Sequence, residues 1–283
     1  MITNAFTCTG PYAILILLGI KRSENRNRLP VPEKGRCAIS CSKTFSKEEY
    51  GNFVQWASQN LTTDEFVTIP SWNDVCEWPG KIIGACDYTS RKRNDLVLTG
   101  RVGRGGKENW DEGYDYWWDL SEVVSFDRPI PCHGNVGMWQ LSSALAAQVT
   151  AAYRLAQSVG ERIASAENAA ELFRVAMPVA GASEGFFVLP LAADRRVLAA
   201  PILVSLGEAS TTTVDPGEVF SAALQVGAKA IIVAHNHPSG NLKPSAQDQI
   251  LTKQLNRLGE ILGIDVLDHL IVSGGQWCLV EWA

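Results

Sequence analysis

The sharpest pattern lies in the last third of the chain, where short apolar runs alternate with longer stretches of helical spacing. GFFVLPLA, RRVLAAPILVSLG, AKAIIVAHNH and HLIVSGG read as strands, while PGEVFSAALQVG and SAQDQILTKQLNRLGEILG carry apolar residues three and four apart and read as helices. In the second helix Ile250, Leu251, Leu255, Leu258, Ile261 and Leu262 fall on one face, and Gly259 and Gly263 stand near its end. This alternation predicts an α/β domain with helices packed on a sheet.

The first 141 residues have a different texture. RCAISC, GKIIGACDY and DLVLTG read as short strands bounded by Gly, Lys or Asn, whereas residues 104–118, RGGKENWDEGYDYWW, combine Gly, charge and aromatic rings as a long surface loop does. Between these regions, from Leu141 to Met177, the chain turns Ala-rich with apolar residues at helical spacing and one break at Gly160. The expected organisation is an N-terminal mixed domain over 1–141, a helical connector over 142–177 and a C-terminal α/β domain over 178–283.

A length of 283 residues supports two cores, and 46% hydrophobic with 19% charged residues excludes disorder, fibrous repeats and a multispanning membrane protein. The longest apolar run, Tyr12 to Ile20, is about half of the roughly 20 residues that cross a bilayer, and no charged segment precedes it as in a signal peptide. A cytoplasmic protein with no membrane partner is expected. Seven cysteines, an odd number scattered through the chain, fit reduced thiols. Cys37 and Cys41, about 13 Å apart on a strand, are too distant to share a metal and read as small buried apolar residues.

Net charge is −5, divided as −1 over residues 1–141 and −4 over 142–283. In the first part the bases cluster: Lys21, Arg22, Arg26, Arg28, Lys34 and Arg36, then Arg91, Lys92, Arg93, Arg101, Arg104 and Lys107. With Tyr and Trp nearby, these segments suit a phosphate backbone and stacked bases, and equally suit solvated loops.

The chemistry gathers around His235-Asn236-His237. The two histidines stand two apart at the end of the strand AIIVA, so both imidazoles point to one face. Eight residues after His237 comes Ser245, and three later Asp248, on the first turn of a helix that Pro244 and Ser245 start. Two imidazoles and a carboxylate leave one position of a tetrahedral zinc for water, the arrangement of a catalytic site. Ser245-Ala246-Gln247-Asp248 before an apolar run is also close to a capping box, in which both side chains serve only the helix end.

His-x-His, seven residues, then Ser-x-x-Asp resembles the JAMM (MPN+, JAB) metalloproteases, and HNHPSGNLKPSAQD with GIDVLDHLIVSG resembles their RadC branch, over roughly 165–283. The resemblance implies the layered, cytidine-deaminase-like α/β fold of that family. It also implies a zinc-activated water held by His235, His237 and Asp248, an oxyanion stabilised by Ser245, and a protein or peptide substrate cut at an amide or isopeptide bond. The general base it requires falls on Glu184, with Glu208 as competitor in a position where RadC proteins often have Gly-Thr. His269 and Asp268 also match RadC and are expected to be structural or to support the ligands.

The first half resembles an ASCH domain, a PUA-related β-barrel, through Gly19-x-Lys21-x-x-Glu24-x-Arg26 together with KGRCAISCSK, GKIIGACDY and RPIPCHGNVGMWQL, over roughly 8–141. That resemblance implies nucleic-acid binding through Lys21, Glu24 and Arg26 at a cleft mouth, with RNA expected ahead of DNA. Trp117, Trp118 and Trp139 fit either the cleft or the core, and His133 fits a turn beside it. The bland alternative is a surface ion-pair cluster of Lys21, Glu24 and Arg26. Some ASCH proteins are amidohydrolases using the motif's lysine with a threonine where this chain has Glu24, which makes an RNA-nucleoside amidohydrolase centred on Lys21 a further expectation. A RadC-like DNA repair or nucleic-acid-processing factor is the other.

Overall fold

Strand-forming residues gather into two sheets, one in each of two units that divide the chain between Tyr153 and Arg154. The computed structural model describes residues 1–26, 30, 32–92, 116–135, 137–177, 183–207, 214–237 and 239–281. The strand expected over 95–100, residues 104–115 of the expected loop, and Glu208 lie outside the described residues.

The N-terminal unit runs β1 (Asn4–Cys8), α1 (Gly10–Leu17), β2 (Ser23–Arg26), β3 (Lys34–Cys41), α2 (Lys47–Asn60), α3 (Thr63–Val67), α4 (Trp72–Val75), β4 (Lys81–Lys92), β5 (Tyr116–Pro131) and β6 (Met138–Gln140). Among the described residues its six strands pair in the order β2-β5-β4-β3-β1-β6. The barrel expected from the sequence is met here as a curled sheet, a half-barrel, in which β2 and β6 are the edges. Register shifts at Ile39/Ser40, Ile82/Gly84 and Ala85/Asp87 supply the bulges that bend such a sheet. Gly84 sits where a Cβ would collide with the carbonyl oxygen of Val124, so only glycine lets β4 and β5 approach this closely. Tyr116, Trp117 and Trp118, expected in a loop, begin β5 instead. Trp118 is 1% exposed and meets Phe6 edge-on inside the core, which settles its place among the packing residues. Cys37 and Cys41 are buried in the same core, as their apolar reading predicts.

The helix α5 (Ser143–Ser158) straddles the division between the units. The C-terminal unit continues with α6 (Ala166–Ala176), β7 (Glu184–Leu191), β8 (Ile202–Gly207), α7 (Pro216–Gln225), β9 (Ala230–Asn236), α8 (Ala246–Leu262), β10 (Asp265–Ser273) and β11 (Gln276–Leu279). The sheet order is β11-β10-β9-β7-β8, with β9 and β10 parallel and the other pairs antiparallel. Strand alternation builds two cores, one on each face. Phe187, Leu189, Ile232 and Ala234 pack against Ala169, Ala170 and Phe173 of α6, so this part of the expected connector is a wall of the C-terminal core. Phe186, Val188, Ile231 and Val233 pack on the other face against Val219 and Phe220 of α7 and Leu251 and Leu255 of α8.

The buried seam of α8 is Leu251, Thr252, Leu255 and Gly259. Ile250, Ile261 and Leu262, expected on the core face, are exposed, because the close approach at Gly259 rolls the helix toward that residue. Gly263 then ends the helix in the left-handed conformation, at φ +68°.

Gly259 generates a stability prediction. A methyl group there would lie 2.5 Å from the carbonyl oxygen of Ile264 and 3.2 Å from Val266, and a backbone atom cannot swing aside. Gly259→Ala gains about 1 kcal/mol of helix propensity but overpacks the seam, so we expect net destabilisation of about 1–2 kcal/mol and a lowered Tm in thermal unfolding. Wild-type stability in the variant would show that α8 is free to lift from β10.

Candidate metal centre

Alternation along the strands decides which side chains meet. His235 continues the series Ile231 and Val233 on β9, and Glu184 continues Phe186 and Val188 on β7, so both face the side of the sheet covered by α8. Phe186 pairs with His235 across the two strands, which brings the start of β7 beside the end of β9. Asn236, between the histidines, fastens this corner: its Oδ1 accepts from Gly185 N at 2.8 Å and its Nδ2 donates to Ser183 O at 2.9 Å. The result is a group of Glu184, His235 and His237 whose ligand atoms all lie within 4.8 Å of one another.

Asp248 stands near both histidines. Its Oδ1 is 3.3 Å from Nε2 of His235 and its Oδ2 is 3.8 Å from Nε2 of His237. Ser245 caps α8 at the same time: its backbone N–H and hydroxyl both donate to Asp248 Oδ2 at 2.7 Å, and its Oγ accepts from Asp248 N at 3.1 Å. The capping box and the ligand reading are therefore compatible. The cap occupies Oδ2 and leaves Oδ1 facing His235. His235 is 2% exposed at its side chain, against 15% for His237 and 13% for Asp248, so the site opens on the side of the latter two.

The donor set fits a metal. His237 Nδ1 lies 2.5 Å from the carbonyl oxygen of Asn241, which can only accept, so the proton of neutral His237 is on Nδ1 and Nε2 carries a lone pair. That lone pair meets Nε2 of His235 at 2.9 Å, with two carboxylates beside it. Such a convergence is satisfied by a positive charge at its centre, and two imidazoles with carboxylate oxygen are ligands for a borderline divalent ion.

Burial shapes the acid–base behaviour. It holds the His235 imidazole down to about 4, assisted by His237 and opposed by the Asp248 carboxylate. Burial likewise presses His269 down to about 3. Both shifts favour the neutral ring, in which one nitrogen carries the proton and the other accepts. The Glu184 carboxyl is raised by burial, with His237 opposing and Asp248 adding to the rise. At Asp248 burial pushes up but is outweighed by His235, the two hydrogen bonds from Ser245 and His237, leaving it below the ordinary carboxylate range.

The sequence reading expected His269 to be structural or to support the ligands, and it missed Thr252. Nδ1 of His235 is 3.0 Å from Nε2 of His269, and Nδ1 of His269 is 2.7 Å from the hydroxyl of Thr252, all three being fully or almost fully buried. Thr252 stands one helical turn after Asp248, a spacing that marks a shared face but not the contact.

The N-terminal candidates form a separate group in their own unit. Lys21 and Glu24 are each 6% exposed and their charged ends are 3.4 Å apart, so the surface cluster considered from the sequence is instead a buried ion pair. The Lys21 ammonium also donates to the Ser23 carbonyl and lies 5.5 Å from the centre of the Tyr12 ring. Arg26 is on β2, and its side chain is outside the described residues. His133 is exposed in the irregular segment after β5. Trp139 donates to the Thr7 hydroxyl at 3.1 Å. No helix among the described residues is long and apolar enough to cross a membrane.

Comparison with known proteins bears on the C-terminal unit. Residues 163–281 match the family described as the RadC-like JAB domain. A UPF0758 protein of Finegoldia magna is 46% identical over 93 residues, 33% of this chain and 41% of that protein. Those of Rubrobacter xylanophilus and Desulforamulus reducens are 41% and 43% identical over 98 and 94 residues, covering 35% and 33% of this chain and 43% and 41% of theirs. The chain thus spans about two-fifths of the length of these relatives. With the paired histidines, the carboxylates on either side of them and this match on the page, the C-terminal part of the chain, residues 163–281, carries a RadC-like JAB domain homologous to the UPF0758 proteins.

Proposed function

We propose that the C-terminal domain is a zinc-dependent hydrolase of the JAMM class that cuts an amide or isopeptide bond in a protein or peptide. The observation that carries this reading is the meeting of Nε2 of His235 and Nε2 of His237, 2.9 Å apart, with the carboxylates of Asp248 and Glu184 close by. His235, His237 and Asp248 would hold the ion. Zinc, when bound, polarises a carbonyl and makes water a nucleophile at neutral pH.

The chain's own residues do the rest. Glu184 stands on the strand end beside the histidines, free of the helix cap that engages Asp248, and its raised carboxyl suits a group that takes a proton from water and returns it to the leaving amine. Ser245 spends its hydroxyl proton on Asp248 Oδ2 in the resting arrangement. Turned about its Cα–Cβ bond, the same hydroxyl donates to the oxygen on which negative charge develops. The near-complete burial of His235 sets a dry floor under the reaction, and the more open His237 and Asp248 leave the side by which substrate enters.

In the same proposal the N-terminal unit binds nucleic acid, RNA ahead of DNA, through the region of Lys21, Glu24 and Arg26. Support for this comes from the two clusters of bases in residues 21–36 and 91–107. A RadC-like part in nucleic-acid processing draws on the same domain match. A hydrolase centred on Lys21 is disfavoured, because its ammonium is engaged by Glu24 and the Ser23 carbonyl.

Two experiments test the proposal. Elemental analysis of purified wild-type protein should give near-stoichiometric zinc, lost in the His235→Ala, His237→Ala double variant and retained in Lys21→Ala; absence of zinc from wild type even after reconstitution would overturn the reading. Glu184→Gln should keep its zinc and lose about 10²–10⁴-fold in hydrolysis of fluorogenic peptide or isopeptide substrates, since only the proton carrier is removed. Full activity in that variant would pass the base to another group.

A further inference from the structure

We infer that Thr252 and His269 are a positioning pair that holds the proton of His235 on Nδ1 and so keeps Nε2 free as a ligand atom. The inference rests on the metallohydrolase reading of this site; it gives the expected supporting role of His269 a definite form and adds Thr252, which none of the quoted motifs includes.

The argument follows the protons. The Thr252 hydroxyl is 2.6 Å from the backbone carbonyl oxygen of Asp248 and 2.7 Å from Nδ1 of His269. A carbonyl oxygen only accepts, so the single hydroxyl proton goes to Asp248 O, and the Thr252 oxygen must accept from His269 Nδ1–H. His269 is 0% exposed and no described carboxylate is hydrogen-bonded or ion-paired to it, so it is neutral, and its one proton is now assigned. Its Nε2 is therefore an acceptor, 3.0 Å from His235 Nδ1, and it takes the proton of that nitrogen. Each step leaves the next no choice. The lone pair of His235 is left on Nε2, aimed at His237 Nε2 and Asp248 Oδ1.

The relay begins behind one ligand and ends on the backbone of another. Thr252 and Asp248 are one turn apart on α8, while His235 and His269 are on the paired parallel strands β9 and β10. The chain of hydrogen bonds thus ties the helix that carries the carboxylate to the strand that carries the imidazole. Phe186 lies against both rings, stacked with His235 at 6.0 Å and edge-on to His269 at 5.5 Å. Without the Thr252 oxygen, His269 has no acceptor for Nδ1–H. Its other tautomer then becomes favourable, would donate toward His235 Nδ1, and would drive the proton of His235 onto the ligand nitrogen.

The test reads tautomers directly. Long-range nitrogen NMR of the metal-free full-length protein should find His235 protonated on Nδ1 in wild type and in Thr252→Ser, which keeps the hydroxyl, and shifted toward Nε2 in the nearly isosteric Thr252→Val. Zinc affinity, measured by competition with a chromophoric chelator, should fall about 10–100-fold in Thr252→Val and return in Thr252→Ser. Wild-type His235 protonated on Nε2, or unchanged zinc affinity in a folded Thr252→Val, would overturn the inference. The wild-type tautomer needs no variant to fold, and it is read without metal. Failure of wild type to bind zinc would overturn the metallohydrolase reading alone, because the tautomers would still decide the relay.

Discussion

A buried imidazole must find a partner at each nitrogen, and at His235 this requirement organises the whole C-terminal site. The residue is 1% exposed, so water cannot serve either face of the ring, and an unmatched buried polar atom costs about 1–3 kcal/mol. One nitrogen is met from behind by His269 on the neighbouring parallel strand. The other is turned to a point shared with His237, Asp248 and Glu184, a set of imidazole nitrogens and carboxylate oxygens of the kind that ligates a divalent cation. The fold can hold this arrangement because β9 lies between β7 and β10 in the sheet, which leaves His235 flanked by one strand bearing Glu184 and one bearing His269.

The first turn of α8 shows how one carboxylate meets two demands. A helix start leaves N–H groups without partners, and the Ser245/Asp248 box answers it with reciprocal bonds. Because both donors from Ser245 reach the same oxygen, the other remains in the site. The loop leading to that turn is held at its middle, at Asn241 and Leu242. His237 donates to Asn241 O, and the Cys278 thiol donates to Leu242 O at 2.7 Å. The position of the carboxylate is thus fixed by the cap and the loop before any ion is considered, which is the preorganisation a catalytic site needs.

Much of this was legible in the sequence because it depended on short-range periodicity. Two histidines two positions apart on an apolar strand must share a face, and a Ser-x-x-Asp before a helical apolar pattern must lie on its first turn. The register between strands is a long-range property, and it placed His269 behind His235 and Asn236 beside Glu184, neither of which any local pattern announces. The seam of α8 was misjudged for a similar reason. Ile250, Ile261 and Leu262 satisfy helical spacing as well as Leu251 and Leu255 do, and only the contact of Gly259 with the chain at Ile264 decides which edge of the apolar stripe is covered. Tyr116 to Trp118 read as loop by composition, but alternate registry against β2 and β4 makes them strand.

In the N-terminal unit the same long-range pairing changes the meaning of a motif. Lys21 and Glu24 look on the page like surface charges three residues apart, yet Glu24 sits on β2 opposite Trp118, one of the most buried rings of the unit. Removing both charges from water has a desolvation cost that the 3.4 Å contact only partly offsets, and the Ser23 carbonyl and the Tyr12 ring add to the environment of the ammonium. A pair of this kind adds little to stability, but breaking one half of it strands the other as an uncompensated buried charge. The two residues therefore act as a unit, joining the turn after α1 to the edge strand β2. Any nucleic-acid contact in this region has to be made around that neutralised pair rather than by Lys21 as a free cation.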